Sequence, residues 1–192
     1  MSAMKTQKTT MKTDPAKFIL SSQQNFETAA AVADAWSDVR QQIVHGLLGR
    51  LEAHLKRRLR GWDFEREQVF YQDSWASFNF WKRSWNHRYG IGLMWHDYGR
   101  SITFGCYYNT DHGKRPKQDQ VLNAVVKAFP KARRDQWWEA RMEFTSPADW
   151  TTPQALWRLH ADDALFQSVA QKLIAVAEIS QPIINELVRS KR

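Results

Sequence analysis

The spacing of apolar residues changes three times along the chain. After an aperiodic start it runs at three-, four- and seven-residue steps through Phe26, Ala29, Ala33, Trp36, Ile43, Leu47, Leu51 and Leu55. That spacing predicts one long helix to about Leu59, with the stripe facing the core. Ser21 or Ser22 offers an N-cap. Lys56, Arg57, Arg58 and Arg60, followed by Gly61, make a suitable stop, because cations complement the carbonyl end of a helix and glycine accepts a positive φ. Gly46 and Gly49 each weaken a helix interior by about 1 kcal/mol relative to alanine, so a bend or break is expected near them.

Beyond Gly61 the period falls to two. Trp62 and Phe64, then Val69 and Tyr71, predict a first strand, and Ala76, Phe78 and Phe80 a second. Ile91, Leu93 and Trp95 predict a third, and Asp97-Tyr98-Gly99 turns the chain into a fourth through Ile102, Phe104, Cys106 and Tyr108. Lys117 to Phe129 reads as a short amphipathic helix ended by Pro130. Trp138, Ala140, Met142 and Phe144 then alternate with Glu139, Arg141 and Glu143 as a half-exposed fifth strand. Thr151 or Thr152 before Pro153, and Asp162 before Phe166, Val169, Leu173, Val176 and Ala177, start two further helices, the second with a kink expected at Pro182. The fold class expected is α+β: an antiparallel meander sheet of about five strands flanked by a long N-terminal helix and C-terminal helices. Residues 1–20, polar and basic, read as a flexible arm, and residues 21–192 as a single domain.

Composition narrows the function classes. With 192 residues, 43% of them hydrophobic and ten of them Trp, the chain can bury a core without disulfides or metals. Its single cysteine, Cys106, excludes an internal disulfide and a multi-cysteine zinc site and suits a reducing compartment. The N-terminus holds no apolar run of the kind a secretory signal needs, and no segment is long and apolar enough to span a bilayer. A cytoplasmic protein without membrane contact is expected. The net charge of +8 invites a nucleic-acid reading, but residues 1–20 contribute +3 and residues 186–192 contribute +2, so the interior holds only +3.

No catalytic residue, metal site or cofactor emerges from the motifs. The six histidines, at positions 45, 54, 87, 96, 112 and 160, form neither HExxH nor His-x-His. Because His87 and His96 bracket the third strand and His112 follows the fourth, a meeting of these three at one sheet end is the metal arrangement left open. No Asp or Glu has Lys two positions later, as restriction-type nuclease chemistry requires, and Gly90-Ile91-Gly92 lacks the third glycine of a dinucleotide fingerprint. Cys106, in mid-strand among apolar neighbours, is expected to be buried and inert.

Two stretches interleave cations with aromatics: Trp81, Lys82, Arg83, Trp85 and Arg88 in one, and Lys127, Lys131, Arg133, Arg134 and Trp137 in the other. Lys and Arg neutralise phosphates while Trp offers a stacking face for an unpaired base, so these ten residues are the candidate binding surface. Trp and Arg are also enriched in protein-binding hot spots, which leaves a protein-interaction adaptor or inhibitor as the alternative. An enzyme whose site is assembled only in three dimensions is a further alternative.

The runs Ser77-Phe78-Asn79-Phe80-Trp81-Lys82-Arg83-Ser84-Trp85, Tyr89-Gly90-Ile91-Gly92-Leu93-Met94-Trp95 and Ile102-Thr103-Phe104-Gly105-Cys106 resemble the accessory region that follows the catalytic core in some PD-(D/E)XK nuclease-superfamily proteins. The resemblance covers about Leu51 to Leu173 and rests on spaced aromatics and glycines. It implies a relative of that α+β module without the nuclease half, and no catalytic residue carries over. It further implies a phage or mobile-element setting, in which small proteins bind and modulate nucleoprotein machinery. The expectation is therefore a non-catalytic protein that engages nucleic acid or a nucleoprotein complex.

Overall fold

The structure, a computed structural model, describes residues 14–67, 70–71, 74–113, 115 and 119–190. Its main elements are α1 (Pro15–Ile19), α2 (Gln23–Arg58), β1 (Trp62–Arg66), β2 (Trp75–Lys82), β3 (Tyr89–His96), β4 (Ser101–Tyr108), α3 (Gln120–Ala128), β5 (Trp138–Glu143), α4 (Pro153–Ala161) and α5 (Asp163–Arg189). The five strands form one antiparallel sheet in the order β1-β2-β3-β4-β5, the meander that the alternating pattern predicts.

Register follows from burial. Phe78 pairs with Leu93 and Phe80 with Ile91, while Leu93 pairs with Phe104 and Ile91 with Cys106, which lines the apolar residues of three strands along one face. Helices cover that face. Leu47, Leu51 and Leu55 of α2, Val121 and Val125 of α3, and Val169, Leu173, Val176 and Ile184 of α5 join the strand residues in one buried cluster. Gln41 fixes α2 to the chain after β1 by clasping the backbone of Phe70: its Oε1 accepts from the Phe70 N–H at 2.9 Å, and its Nε2 donates to the Phe70 carbonyl.

Capping agrees with the sequence. Ser22 Oγ accepts from Asn25 N at 3.1 Å, Thr152 Oγ1 from Ala155 N at 3.2 Å, and Asp162 from Ala164 N at 2.9 Å and Leu165 N at 3.1 Å. α2 runs unbroken past Gly46 and Gly49, and α5 continues through Pro182. Tyr71 does not extend β1: its φ of 64° is left-handed, and its hydroxyl donates to the Trp150 carbonyl at 3.2 Å. Val69, expected in the same strand, lies outside the described residues.

The chain divides into two compact units, Met1–Val39 and Arg40–Arg192. The division falls inside α2, whereas the sequence places a boundary near residue 20. In the first unit, Asn25 Nδ2 donates to the Phe18 carbonyl at 3.0 Å and to Ser21 Oγ at 2.9 Å, tying α1 to the start of α2. Burial begins only at Val44. Phe26 and Trp36, expected to face the core, are exposed, as are Val32 and Val39. The helical spacing holds across all of α2, and its buried residues, Val44, Leu47, Leu48, Leu51 and Leu55, all lie in the second unit.

Candidate nucleic-acid interface

The sheet face opposite the helices carries the polar positions of each strand and a row of aromatics at one end. Asn86 and His87 both adopt left-handed φ, 50° and 57°, which folds the chain after β2 back on itself. The His87 ring therefore stacks on Trp81 with centroids 3.9 Å apart and planes inclined by 21°. His87 Nε2 lies 3.2 Å from the Tyr107 hydroxyl. Tyr107 in turn lies across Gly90, where a Cβ would come within 2.4 Å of its ring. A bulge completes the row: Cys106 pairs with Ala140 but Tyr107 pairs with Trp138, so β5 carries one extra residue and Trp138 meets Tyr107 edge-on at 6.3 Å. Burial, reinforced by Cys106 and Glu65, pushes the Tyr107 hydroxyl well above its ordinary pKa, so it stays protonated.

Cations gather at the same end. The Arg83 N–H donates to the Gly61 carbonyl at 3.1 Å and Trp62 pairs with Lys82, which brings the end of α2, with Arg57, Arg58 and Arg60, beside the turn that follows β2. The end of α5 reaches the same turn, since Trp85 Nε1 donates to Asn185 Oδ1 at 2.9 Å. Lys82 and Arg189 line one cavity there, with Ser84, Trp85, Asn185 and Val188. Arg57, Arg58, Arg60, Lys82, Arg88 and Arg189 make no ion pair with any described residue.

The ten candidate residues are only partly brought together. Trp81, Lys82, Arg83 and Arg88 lie at this end of the sheet, and Trp137 joins them: its carbonyl accepts from Tyr108 N at 3.1 Å, and the next residue, Asn109, donates to the Arg88 carbonyl at 2.9 Å. Trp137 is 55% exposed and offers an open ring. Trp85 does not; at 1% exposure it packs on Trp62 with centroids 4.8 Å apart, so its ring belongs to the core. Arg83 is held by Asp63 at 2.8 Å.

The second stretch follows the β5 edge. Lys127 and Lys131 are exposed near the end of α3. Arg133 pairs with Glu143 at 2.5 Å, and Arg134 with Asp119 at 2.5 Å and Glu139 at 3.4 Å. Glu139, expected on an exposed strand face, is only 3% exposed, and Arg115 meets it at 2.8 Å. Arg115 also donates to the carbonyls of Asp135 and Trp138. The bulge that sets Trp138, itself only 1% exposed, against Tyr107 makes Glu139 the extra residue, which the plain alternation of the sequence does not reveal.

The histidines separate rather than converge. His87 precedes β3 and His96 ends it, so the length of a strand lies between them. Among the described residues no three His, Cys, Asp or Glu side chains gather as a metal site would need. Burial first and then the nearby Arg141 charge lower the His96 pKa, and its buried Nε2 has no hydrogen-bond partner among the described residues. Cys106 is fully buried, and burial holds its thiol far above the ordinary range. No helix among the described residues is long and apolar enough to cross a membrane.

Sequence reasoning missed His87 and Tyr107 as members of the aromatic row, and Ser84, Asn185 and Arg189 as neighbours of Lys82. One signal was available: Asn185 is a polar residue between Ile184 and Val188 on the inward side of α5. No known protein family, no curated protein and no solved structure matches the chain.

Proposed function

We propose that this chain is a non-catalytic binding protein that engages a nucleic acid, alone or within a nucleoprotein complex, at the corner where α2, the β2–β3 turn and α5 end. The observation that supports this reading is the gathering of six cations that have no ion pair among the described residues, Arg57, Arg58, Arg60, Lys82, Arg88 and Arg189, at the end of the sheet that also carries the Trp81–His87–Tyr107 row and the open Trp137 ring. The cations neutralise backbone phosphates, and Trp137 stacks on an unpaired base. The kinship with the PD-(D/E)XK accessory region, the phage or mobile-element setting and a cytoplasmic location belong to the same proposal.

Fluorescence anisotropy with labelled single strands tests it. Six phosphate contacts give a slope of about −4 in log affinity against log salt, so affinity falls by two to three decades between about 50 and 200 mM salt. Arg88→Gln and Arg58→Gln each make that slope shallower by about 0.7, and Trp137→Ala weakens binding without changing it. Absence of binding at low salt overturns the reading.

A second reading has its own observation. Phe26, Val32, Trp36 and Val39 expose apolar surface on the first half of α2, a stretch whose charges between residues 21 and 39 are Glu27, Asp34 and Asp38 with no Lys or Arg. A basic amphipathic segment of a protein partner suits that surface.

A further inference from the structure

The cavity at the basic corner has a chemistry of its own. It measures about 160 Å³ and is lined by Lys82, Ser84, Trp85, Asn185, Val188 and Arg189. Trp85 forms a rigid apolar wall, because its ring is buried and its Nε1 is committed to Asn185 Oδ1 at 2.9 Å. The same bond fixes the orientation of the amide: Oδ1 is turned to the Trp85 N–H, and the two Nδ2 hydrogens remain to donate. The polar lining is then the Lys82 ammonium, the Arg189 guanidinium, the Asn185 amide N–H groups and the Ser84 hydroxyl. All four can donate, and among the described residues no carboxylate lines the cavity.

Position along α5 explains why the acid nearby does not spoil the site. Asn185, Val188 and Arg189 stand at i, i+3 and i+4 on one helix face, whereas Glu186 is turned about 100° away and is exposed. The carbonyl end of α5 adds a partial negative charge of about one half, which the two full positive charges outweigh. Neither cation has an ion-pair partner among the described residues, so the cavity is electropositive.

We infer that this cavity binds a single phosphate group. Two cations match the dianionic charge of a phosphate, and the fork of Arg189 together with the amide and hydroxyl suits its several acceptor oxygens. A carboxylate would leave one cation uncompensated. The phosphate can come from the end of a nucleic-acid strand or from free inorganic phosphate. The strand-end source rests on the function proposed above, whereas the phosphate chemistry does not.

The full chain is titrated with inorganic phosphate by calorimetry, and separately with one short oligonucleotide carrying either a 5′-phosphate or a 5′-hydroxyl. Phosphate is expected to bind, and Lys82→Gln and Arg189→Gln are each expected to weaken it about tenfold, with Arg189→Lys restoring part of the loss. Arg100→Gln, in the turn between β3 and β4 at the other end of the sheet, leaves it unchanged. Circular dichroism of each variant confirms that the fold persists. A 5′-phosphate preference of about tenfold that disappears in Arg189→Gln assigns the strand end as the source. Phosphate binding that depends on both cations, with neither oligonucleotide bound, keeps the cavity as a phosphate site and overturns the nucleic-acid reading. No phosphate binding, or binding that both variants leave intact, overturns the cavity inference even where the oligonucleotides bind.

Discussion

Glu139 offers the sharpest test of how the β5 edge is built. It is 3% exposed, 2.8 Å from Arg115 and 3.4 Å from Arg134. At an effective dielectric constant of about 20, these separations correspond to attractions of about 6 and 5 kcal/mol before desolvation is subtracted. Desolvation cancels much of that gain, so the measurable quantity is the penalty for leaving a buried charge alone, about 3–5 kcal/mol. Glu139→Gln preserves shape and one acceptor, and Arg115 keeps the carbonyls of Asp135 and Trp138. The lower end, about 3 kcal/mol, is therefore expected. For a unit of this size that corresponds to a fall in Tm of roughly 6–12 °C.

Urea unfolding followed by tryptophan fluorescence gives the number directly. Because the pair is shielded from solvent, the penalty should persist at about 1 M salt. Glu143→Gln is the exposed comparison: its partner Arg133 is 61% exposed, and the loss should stay below about 1 kcal/mol. A loss below about 1 kcal/mol for Glu139→Gln, or one abolished by salt, would refute the buried-pair account. Arg134→Glu would place a second carboxylate against Glu139 and is expected to destabilise the fold, so charge reversal there is no clean probe of binding.

Two further outcomes follow from the packing. At Gly105 a Cβ would lie 2.0 Å from the Ala140 carbonyl oxygen, a backbone atom, so Gly105→Ala should cost about 3 kcal/mol, measured by urea unfolding, whereas at Gly90 the obstacle is the movable Tyr107 ring and the loss should be smaller. Cys106, Tyr71, Tyr89 and Tyr107 all have pKa values raised first by burial, from ordinary values of 9.0 and 10.0. Above those values the unfolded chain ionises and the folded one does not, so stability is fully present below about pH 9 and should fall by about 1.4 kcal/mol per pH unit for Cys106 above about pH 9, and by the same amount for each tyrosine above about pH 10. An unchanged urea midpoint between pH 8 and 10.5 would contradict this, as would modification of Cys106 by a thiol reagent in the folded protein.

Much of this architecture was legible because burial imposes periodicity. The alternation in β2, β3 and β4, the caps at Ser22, Thr152 and Asp162, and the meander itself follow from local pattern and turn chemistry. The first half of α2 was misread for the same reason: Phe26 and Trp36 keep helical spacing, and spacing cannot say whether a partner surface exists. Glu139 was misread because a single-residue bulge leaves it without a partner on β4 and breaks the alternation at that one position, while Ala140, Met142 and Phe144 beyond it are buried as the pattern predicts. The binding surface was legible as composition but not as place, since Trp85 is drawn into the core while Arg189, a hundred residues later, arrives beside Lys82.

An open meander ends in two edge strands, and each has unpaired backbone groups on its outer side. β5 is partly closed by Arg133, whose backbone pairs with that of Arg141 in both directions, at 3.0 and 2.8 Å. β1 is only five residues long and carries Asp63, Glu65 and Arg66. A neighbouring molecule that sought to extend the sheet would find a short template with buried hydrogen-bonding capacity at one side and charge at the other. A short, charged β1 and an Arg133-bridged β5 are features that disfavour growth of the sheet by strand addition.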